Sequence, residues 1–412
     1  MTALSSPEFV VVGAGIAGLT TAKILSENNK EVLLIEKSDS AGGRVQTDKY
    51  EGFLLDHGFQ VLLTAYPEVH NQLDLSSLNL KPFEPGATIF KNGTFSKIGD
   101  PFRNFSSIAP TTFTRAINFH DKMKLLQLRY ELIKEKNLQI NKTDDERIIE
   151  TLKKFGFSTK AIDSFFKPLI GGIQLDPELN GSARLSLLIL KMLFLGDAAV
   201  PERGMGSISE QLLEKVGENN ILFNAQVEKI EGKKIFISEG KSFSPSNLII
   251  ATESPVAAKL FGNEIAPSKS VSCVYFSAPE APTKSKAILL NGENKGLGLN
   301  VAVMTNISSS YSSTCEALIA VAIPGQLVSD SIQPVITQMK NWFGDIVDDW
   351  KHLKTFSIEH GQPALRPGDS FRKKIKVNDG IFMCGDHRDT PSIQGAMVSG
   401  RRTAELCLRQ KI

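Results

Sequence analysis

Four apolar residues, Phe9–Val12 (FVVV), open the chain's pattern with the length and β-branching of a strand buried on both faces. Ile16, Ala17, Leu19, Ala22 and Leu25 then recur at helical spacing, Lys30 and Glu31 turn the chain back, and Val32–Ile35 is a second buried run. A strand, a helix and a strand in such close succession predict a βαβ unit and a parallel sheet. Phe53–Leu55, Ile221–Phe223, Leu248–Thr252 (LIIAT) and the run leading into Gly385 read as further strands.

Between residue 81 and about 195 the alternation lapses. Pro82, Pro85, Pro101 and Pro110 punctuate an irregular opening, followed by helical spacing at Asp121–Lys136, Thr143–Phe155 and Ala161–Ile170. Asp144 and Asp145 sit where acidic side chains favour the start of the second helix, and Gly171 and Gly172 are expected to end the third. Leu185–Leu195 (LSLLILKMLFL) is too short to span a membrane and is interrupted by Lys191, so a buried helix is expected, with a tunnel wall or a membrane-resting face as alternatives. Val271–Phe276, Ala287–Leu290, Gly298–Met304 and Ala317–Ile323 predict a largely antiparallel sheet, and Ile332–Phe343 a helix.

The chemistry begins at the first turn. Gly13, Gly15 and Gly18 have the G-x-G-x-x-G spacing, which allows a sharp bend, close approach of a pyrophosphate to the backbone, and close packing of helix on sheet. The helix N-terminus then offers free N–H groups and a positive dipole end to an anion. Glu36, with Lys37 beside it, closes the second strand about 20 residues beyond the glycines, where an acidic side chain hydrogen-bonds an adenosine ribose. The loop that follows, Ser38 to Arg44, carries paired glycines and an arginine able to reach a diphosphate.

On these residues the chain resembles the flavin-containing amine oxidase superfamily, which includes protoporphyrinogen oxidases and phytoene desaturases. Gly42-Gly43-Arg44 matches the family's G-G-R against the FAD diphosphate, and Asp56-His57-Gly58 its D-x-G beside the flavin. Pro201–Gly206 resembles a P-x-G-G-M-G turn with Arg203 in place of the first glycine, and Val227 falls where the family's backbone contacts adenine. Gly385-Asp386 and the helix near Gln394-Gly395-Ala396 resemble the second FAD motif, in which the aspartate accepts from the ribityl chain and the helix start faces the flavin pyrimidine. The resemblance covers roughly half the chain. It implies FAD at Gly13, Gly15, Ile16, Ala17, Gly18, Glu36, Lys37, Gly42, Gly43, Arg44, Gly58, Val227, Gly385, Asp386, Gln394, Gly395 and Ala396. The fold it implies is α/β: a Rossmann-like FAD-binding domain (residues 1–80, 196–254 and 355–412) with a discontinuous α+β substrate domain (81–195 and 255–354).

The implied activity is FAD-dependent oxidation, by dehydrogenation or desaturation, of a sizeable apolar or amine-containing small molecule, with oxygen, a quinone or another compound accepting the electrons. His57, His360 and His387 are the candidates for moving a proton, each weighed against a purely hydrogen-bonded role. Cysteine, tyrosine and tryptophan are absent between Phe356 and Phe371, which counts against a covalent flavin and against simple monoamine oxidation. Two alternatives are a non-catalytic carrier resembling GDP-dissociation inhibitors and an NAD-dependent dehydrogenase, neither of which has a use for the Gly385-Asp386 motif. A formal charge of +2 gives no basis for nucleic-acid binding. Four scattered cysteines suggest neither a disulfide framework nor a metal site, and the N-terminal residues lack a signal-peptide pattern, so a cytoplasmic protein is expected, with membrane-surface contact left open.

Overall fold

The strand Phe9–Val12 lies third in a six-stranded sheet, between Val32–Ile35 on one side and Asn247–Ile250 on the other, with Phe9 opposite both Val32 and Asn247. Ile221–Leu222 and Ile381–Met383 extend the sheet in parallel, and the short antiparallel strand Lys376–Asn378 finishes one edge. Both faces are covered, which is why these strands read as unbroken apolar runs. Phe9 and Val11 pack with Leu19 and Leu25 of the helix Ile16–Glu27, and with Met397 and Ala404 of the helix Ile393–Arg409. Val10 and Val12 face Ile235 and Ile237 of a small antiparallel sheet. This is the expected Rossmann-like half. The computed structural model describes residues 7–100, 103, 114, 116–134, 144–327 and 332–409, so Pro101, Pro110, Lys136 and Thr143 lie outside the described residues.

A seven-stranded sheet forms the other half, in the order Lys351–Pro363, Ser268–Ala278, Ala317–Pro324, Asn300–Val303, Ile288–Asn291, Gly86–Lys91, Thr94–Gly99. Its pairings are antiparallel except that of Ile288–Asn291 with Gly86–Lys91. The predicted strands appear, with two additions. Residues 86–99, expected to be irregular, form a hairpin, and residue 355 falls inside the long strand Lys351–Pro363. Period-two alternation sends neighbouring side chains to opposite faces. Ile89 and Leu290 meet the helical layer, while Phe90 and Leu289 meet Trp342 and Met339 of the helix Ile332–Phe343.

The helical layer consists of Phe119–Lys134, Ile148–Phe155, a run from Thr159 to Gln174 with a π-helical turn at Ile162–Phe166, and Ala183–Leu195. Two expectations are corrected. Gly171 and Gly172 do not end their helix; they lie inside it because a Cβ on Gly172 would sit 1.8 Å from Asn300 Oδ1 and one on Gly171 2.9 Å from Pro177, and Leu175 in a left-handed conformation ends the helix instead. Asp145 serves a different helix from the one expected. Its carboxylate accepts from Ser182 Oγ (2.7 Å) and from the Arg184 N–H (3.1 Å), at the start of Ala183–Leu195.

The joint between the two halves centres on Asp56, which is almost wholly buried. Its carboxylate accepts from Thr47 Oγ1 (2.6 Å), the Met205 N–H (2.8 Å) and Tyr311 Oη (2.7 Å), and its carbonyl from Tyr275 Oη (3.0 Å). Thr47 belongs to a hairpin formed by Thr47–Tyr50 and Phe53–Asp56, Met205 precedes the helix Gly206–Val216, and Tyr275 sits in the seven-stranded sheet. Replacing Asp56 with Ala strands three buried donors at once. The expected loss is on the order of 3 kcal/mol, read as a lower urea midpoint, and an unchanged midpoint would show that the joint does not depend on this carboxylate.

Candidate functional site

The turn after Phe9–Val12 opens directly onto a cavity of about 1130 Å³. Gly15 is the N-cap of the first helix, with φ −72°, and a Cβ added to it would meet no atom within 4 Å. The space that a larger side chain would take is therefore left open at the helix N-terminus. Gly18 answers a different need: its Cβ would lie 2.0 Å from the Gly13 carbonyl, so its small size lets the helix lie against the turn. Gly13, Gly15, Ile16 and Ala17 line the cavity.

Glu36 and Lys37 also line it. The Glu36 carboxylate accepts from the Ala14 N–H (2.8 Å), the Ser38 N–H (3.0 Å) and Ser38 Oγ (2.7 Å). Three donors leave one of about four lone-pair sites open, so the residue braces the glycine turn as well as facing the cavity.

The Gly42-Gly43-Arg44 loop folds against the same turn. Gly42 pairs with Gly15 and donates to the Ala14 carbonyl at 2.8 Å. Gly42 and Gly43 take φ values of 120° and 59°, which residues with a Cβ rarely adopt. Arg44 is more committed than its sequence suggests: Nη2 reaches Asp386 Oδ2 at 2.7 Å, Nη1 the Gly361 carbonyl at 2.7 Å, and Nε lies 3.7 Å from Glu253. Burial lowers its pKa, but the carboxylates of Asp386 and Glu253 more than compensate, so it stays charged. The two sequence motifs are thus joined by an ion pair across the cavity wall.

Gly58, Val227, Gly385 and Asp386 line the cavity, as do Gln394 and Ala396 at the start of the last helix. Gln394 Oε1 accepts from the Glu68 N–H at 3.0 Å. Gly395 is set back, where its missing Cβ makes room for the Thr390 carbonyl. Beyond Leu62 and Leu63 the cavity is walled mainly by apolar side chains, Phe165, Leu169, Ile189, Leu190, Leu193 and Phe194, with the ion pairs Arg103–Asp197 and Arg129–Asp100 among them. The helix Ala183–Leu195 is accordingly buried over most of its length and lends one face to this wall, which joins two of its expected roles.

The three histidines separate. His57 borders the cavity, and its Nε2 lies 2.7 Å from Asp48 Oδ1. His360 lines an adjoining chamber and pairs with Ser268 Oγ at 2.7 Å. His387 is buried behind Asp386, 4.0 Å from its carboxylate, with no hydrogen bond to either ring nitrogen. Burial pushes its pKa down to about 4, with nearby Arg388, Lys373 and Arg44 adding to the effect against the pull of Asp386. Two further groups emerge only from the structure: Gln60 Oε1 and Thr252 Oγ1 are buried in the cavity wall without partners, and Gln60 Nε2 is held by the Arg44 (2.7 Å) and His57 (3.0 Å) carbonyls. Asp48 was equally hidden, although the Glu51-Gly52 turn between two short runs signals the hairpin that carries it.

A family model described as flavin containing amine oxidoreductase matches residues 16–408. The chain belongs to this family. The 15-cis-phytoene desaturase of an Oncidium hybrid cultivar is 24% identical over 65% of this chain and 49% of its own length. Protoporphyrinogen oxidase 2 of Arabidopsis thaliana is 24% identical over 41% of this chain and 33% of its own. The chain thus spans half or less of the length of these relatives. The crystal structure of an oxidoreductase from Methanosarcina mazei superposes with a TM-score of 0.74 at 17% identity, covering 96% of this chain and 99% of that one, and shares the fold.

FAD is the cofactor of this family member, and the site fits it. The open space above Gly15 lies at a helix N-terminus suited to a diphosphate, and the unpaired Gln60 and Thr252 oxygens await partners that a polar cofactor can supply.

His387 has a consequence for acid stability. Its pKa in the folded protein lies below the ordinary 6.5, so the unfolded chain binds the extra proton and stability falls as pH drops from about 6.5 through about 4. The loss amounts to about 3 kcal/mol. Urea unfolding at pH 7 and at pH 4 should show that His387→Leu flattens this dependence, and an equally steep loss in the variant would assign the acid sensitivity elsewhere.

Proposed function

We propose that the protein binds FAD non-covalently and uses it to dehydrogenate or desaturate a sizeable, largely apolar or amine-bearing small molecule. The observation that carries this reading is the continuity of one cavity from the glycine turn, through the Arg44–Asp386 pair, to an apolar chamber under the helical layer. Gly13, Gly15, Ile16, Ala17 and Gly43 would hold the diphosphate, with Gly18 and Gly42 shaping the turn. Glu36, beside Lys37, would hold the ribose and Val227 the adenine. Gly58, Gly385, Asp386 and the start of the last helix at Gln394, Gly395 and Ala396 would surround the flavin end.

Bound FAD supplies a two-electron acceptor for a substrate C–H bond; the protein's task is to orient that bond and exclude water. The apolar chamber suits both. Among the described residues no cysteine lines the cavity, which supports a non-covalent cofactor. The six-stranded sheet with its flanking segments would form the FAD domain, and the seven-stranded sheet with the helical layer the substrate domain. No helix among the described residues is long and apolar enough to cross a membrane. Phe119 and Met123, exposed where they border the cavity, support uptake of an apolar substrate from a membrane surface.

The purified protein should show a flavin absorption spectrum and release free FAD on heating. Anaerobic addition of 15-cis-phytoene, protoporphyrinogen or cyclohexylamine then separates the substrate classes by which one bleaches the flavin, and reoxidation by oxygen or by a quinone identifies the acceptor class. A protein that takes up no FAD overturns the reading in favour of a carrier. Gly15→Ala gives a sharper test. The free protein should melt unchanged, because the new methyl group meets nothing, while FAD affinity should fall by about tenfold or more as the methyl group enters the space left for the pyrophosphate.

A further inference from the structure

Next to the large cavity lies a smaller, solvent-open chamber of about 340 Å³, which shares Gly43, Arg44, His57, Glu253 and Ile358 with it. The two chambers differ in chemistry. The large one is walled mainly by apolar side chains, whereas the small one adds Ser357, Glu359 and His360. Of the three histidines, His57 alone borders both.

Its ring is held in a defined way. Nε2 lies 2.7 Å from Asp48 Oδ1, and the ring rests against Phe356 with centroids 4.7 Å apart. Lys354 Nζ donates to the other oxygen of Asp48 at 2.6 Å and sits 4.7 Å from the Phe356 centroid. Burial raises the Asp48 carboxyl, but hydrogen bonds from Lys354 and His57 outweigh it and keep the group below its ordinary value. An ionised Asp48 can only accept, so it selects the tautomer with hydrogen on Nε2 and leaves Nδ1 as the basic nitrogen. No hydrogen bond occupies Nδ1, and it is not among the buried unpartnered atoms.

We infer that His57 is the proton acceptor for the oxidation, taking the substrate proton at Nδ1 and passing it to water in the side chamber. The inference rests on the FAD-dependent oxidation proposed above. Dehydrogenation removes a hydride, with the electron pair of a C–H bond, to the flavin, and a proton from the adjacent N–H or C–H, whose bonding pair becomes the new π bond. The side chains Phe165, Leu169, Ile189, Leu190, Leu193 and Phe194 that wall the chamber cannot receive that proton. His57 receives it, Asp48 stabilises the resulting imidazolium, and the adjoining chamber provides the way out. Other charges act on the same ring. Asp56 lies on its own hairpin with a carboxylate coupled to His57, while Arg44, Glu253, Glu359 and His360 share the side chamber.

The test uses the full FAD-loaded chain in wild-type, His57→Gln and Asp48→Asn forms, with two readouts. Nitrogen-15 NMR of the labelled histidines should place the His57 hydrogen on Nε2 in the wild type and show a mixture of tautomers in Asp48→Asn. Hydrogen on Nδ1 in the wild type overturns the proposal, whether or not any substrate has been found. The second readout is the anaerobic rate of flavin reduction against pH, with whichever of 15-cis-phytoene, protoporphyrinogen or cyclohexylamine bleaches the wild type. The wild-type rate should rise with pH, as a reaction that needs a free base does. His57→Gln should lose this rise together with about a hundredfold in rate, and Asp48→Asn should move it to lower pH, because the imidazolium has lost its anion. A His57→Gln profile of the same shape as the wild type overturns the proton role. Absence of bound flavin, or failure of all three compounds to reduce it, is instead a failure of the oxidoreductase reading, and the tautomer measurement then still decides the state of His57.

Discussion

Asp56 binds four partners drawn from separate parts of the chain and so fixes where the hairpin, the returning helix and the second sheet meet. A buried carboxylate is costly unless its lone pairs are filled, and here the filling groups are Thr47 of the hairpin, the Met205 N–H ahead of the helix that returns the chain to the first sheet, and Tyr311 from a turn between strands of the second sheet, while Tyr275 of that sheet holds the Asp56 carbonyl. The cost of leaving any of them unpaired makes the arrangement specific. His57 and Gly58 follow Asp56 immediately in sequence, so the side chain that borders both chambers inherits its position from this network.

A second constraint lies at the cavity wall. Arg44 and Asp386 are far apart in sequence and come together because the loops that carry them follow Val32–Ile35 and Ile381–Met383, strands of one parallel sheet whose C-terminal ends face the same crevice. An arginine fixed by two carboxylates and a carbonyl cannot swing freely to follow a ligand. Arg44 lines both the large cavity and the small polar chamber, so the pair holds fixed a residue of the wall that they share.

Much of the first sheet was legible because its signals are local. A buried run, a glycine turn and a helix repeat occupy neighbouring residues around Gly15, and the same grammar recurs at Gly385. The hairpin at residues 86–99 was not, because its strands mix exposed and buried positions and one of them pairs with Ile288–Asn291, distant in the chain. Gly171 and Gly172 misled for a related reason: their small size answers Asn300 and Pro177 on other segments, and nothing within the helix reports it. Gly13, Gly15, Gly18 and Glu36 stand out by spacing, whereas Gly42, Gly43, Gly58, Gly385 and Gly395 were picked out by the family resemblance. The Asp48–His57 contact follows from the local hairpin Thr47–Asp56, which the Glu51-Gly52 turn signals but does not pin to a register, whereas the unpaired Gln60 and Thr252 oxygens depend on how distant segments stack.

The order of strands in the first sheet also bears on how the molecule comes to exist. Asn247–Ile250 waits for Ile381–Met383 as its neighbour, and the whole seven-stranded sheet is translated between them, apart from its early hairpin. Until the late strand arrives, a nascent chain displays an apolar strand edge with open backbone donors and acceptors, the kind of surface that invites pairing with another chain. The cradle for the cofactor's first half is thus synthesised early but gains its closing wall late, so a polypeptide that stalls before this strand is made emerges as a sticky fragment rather than a smaller working protein.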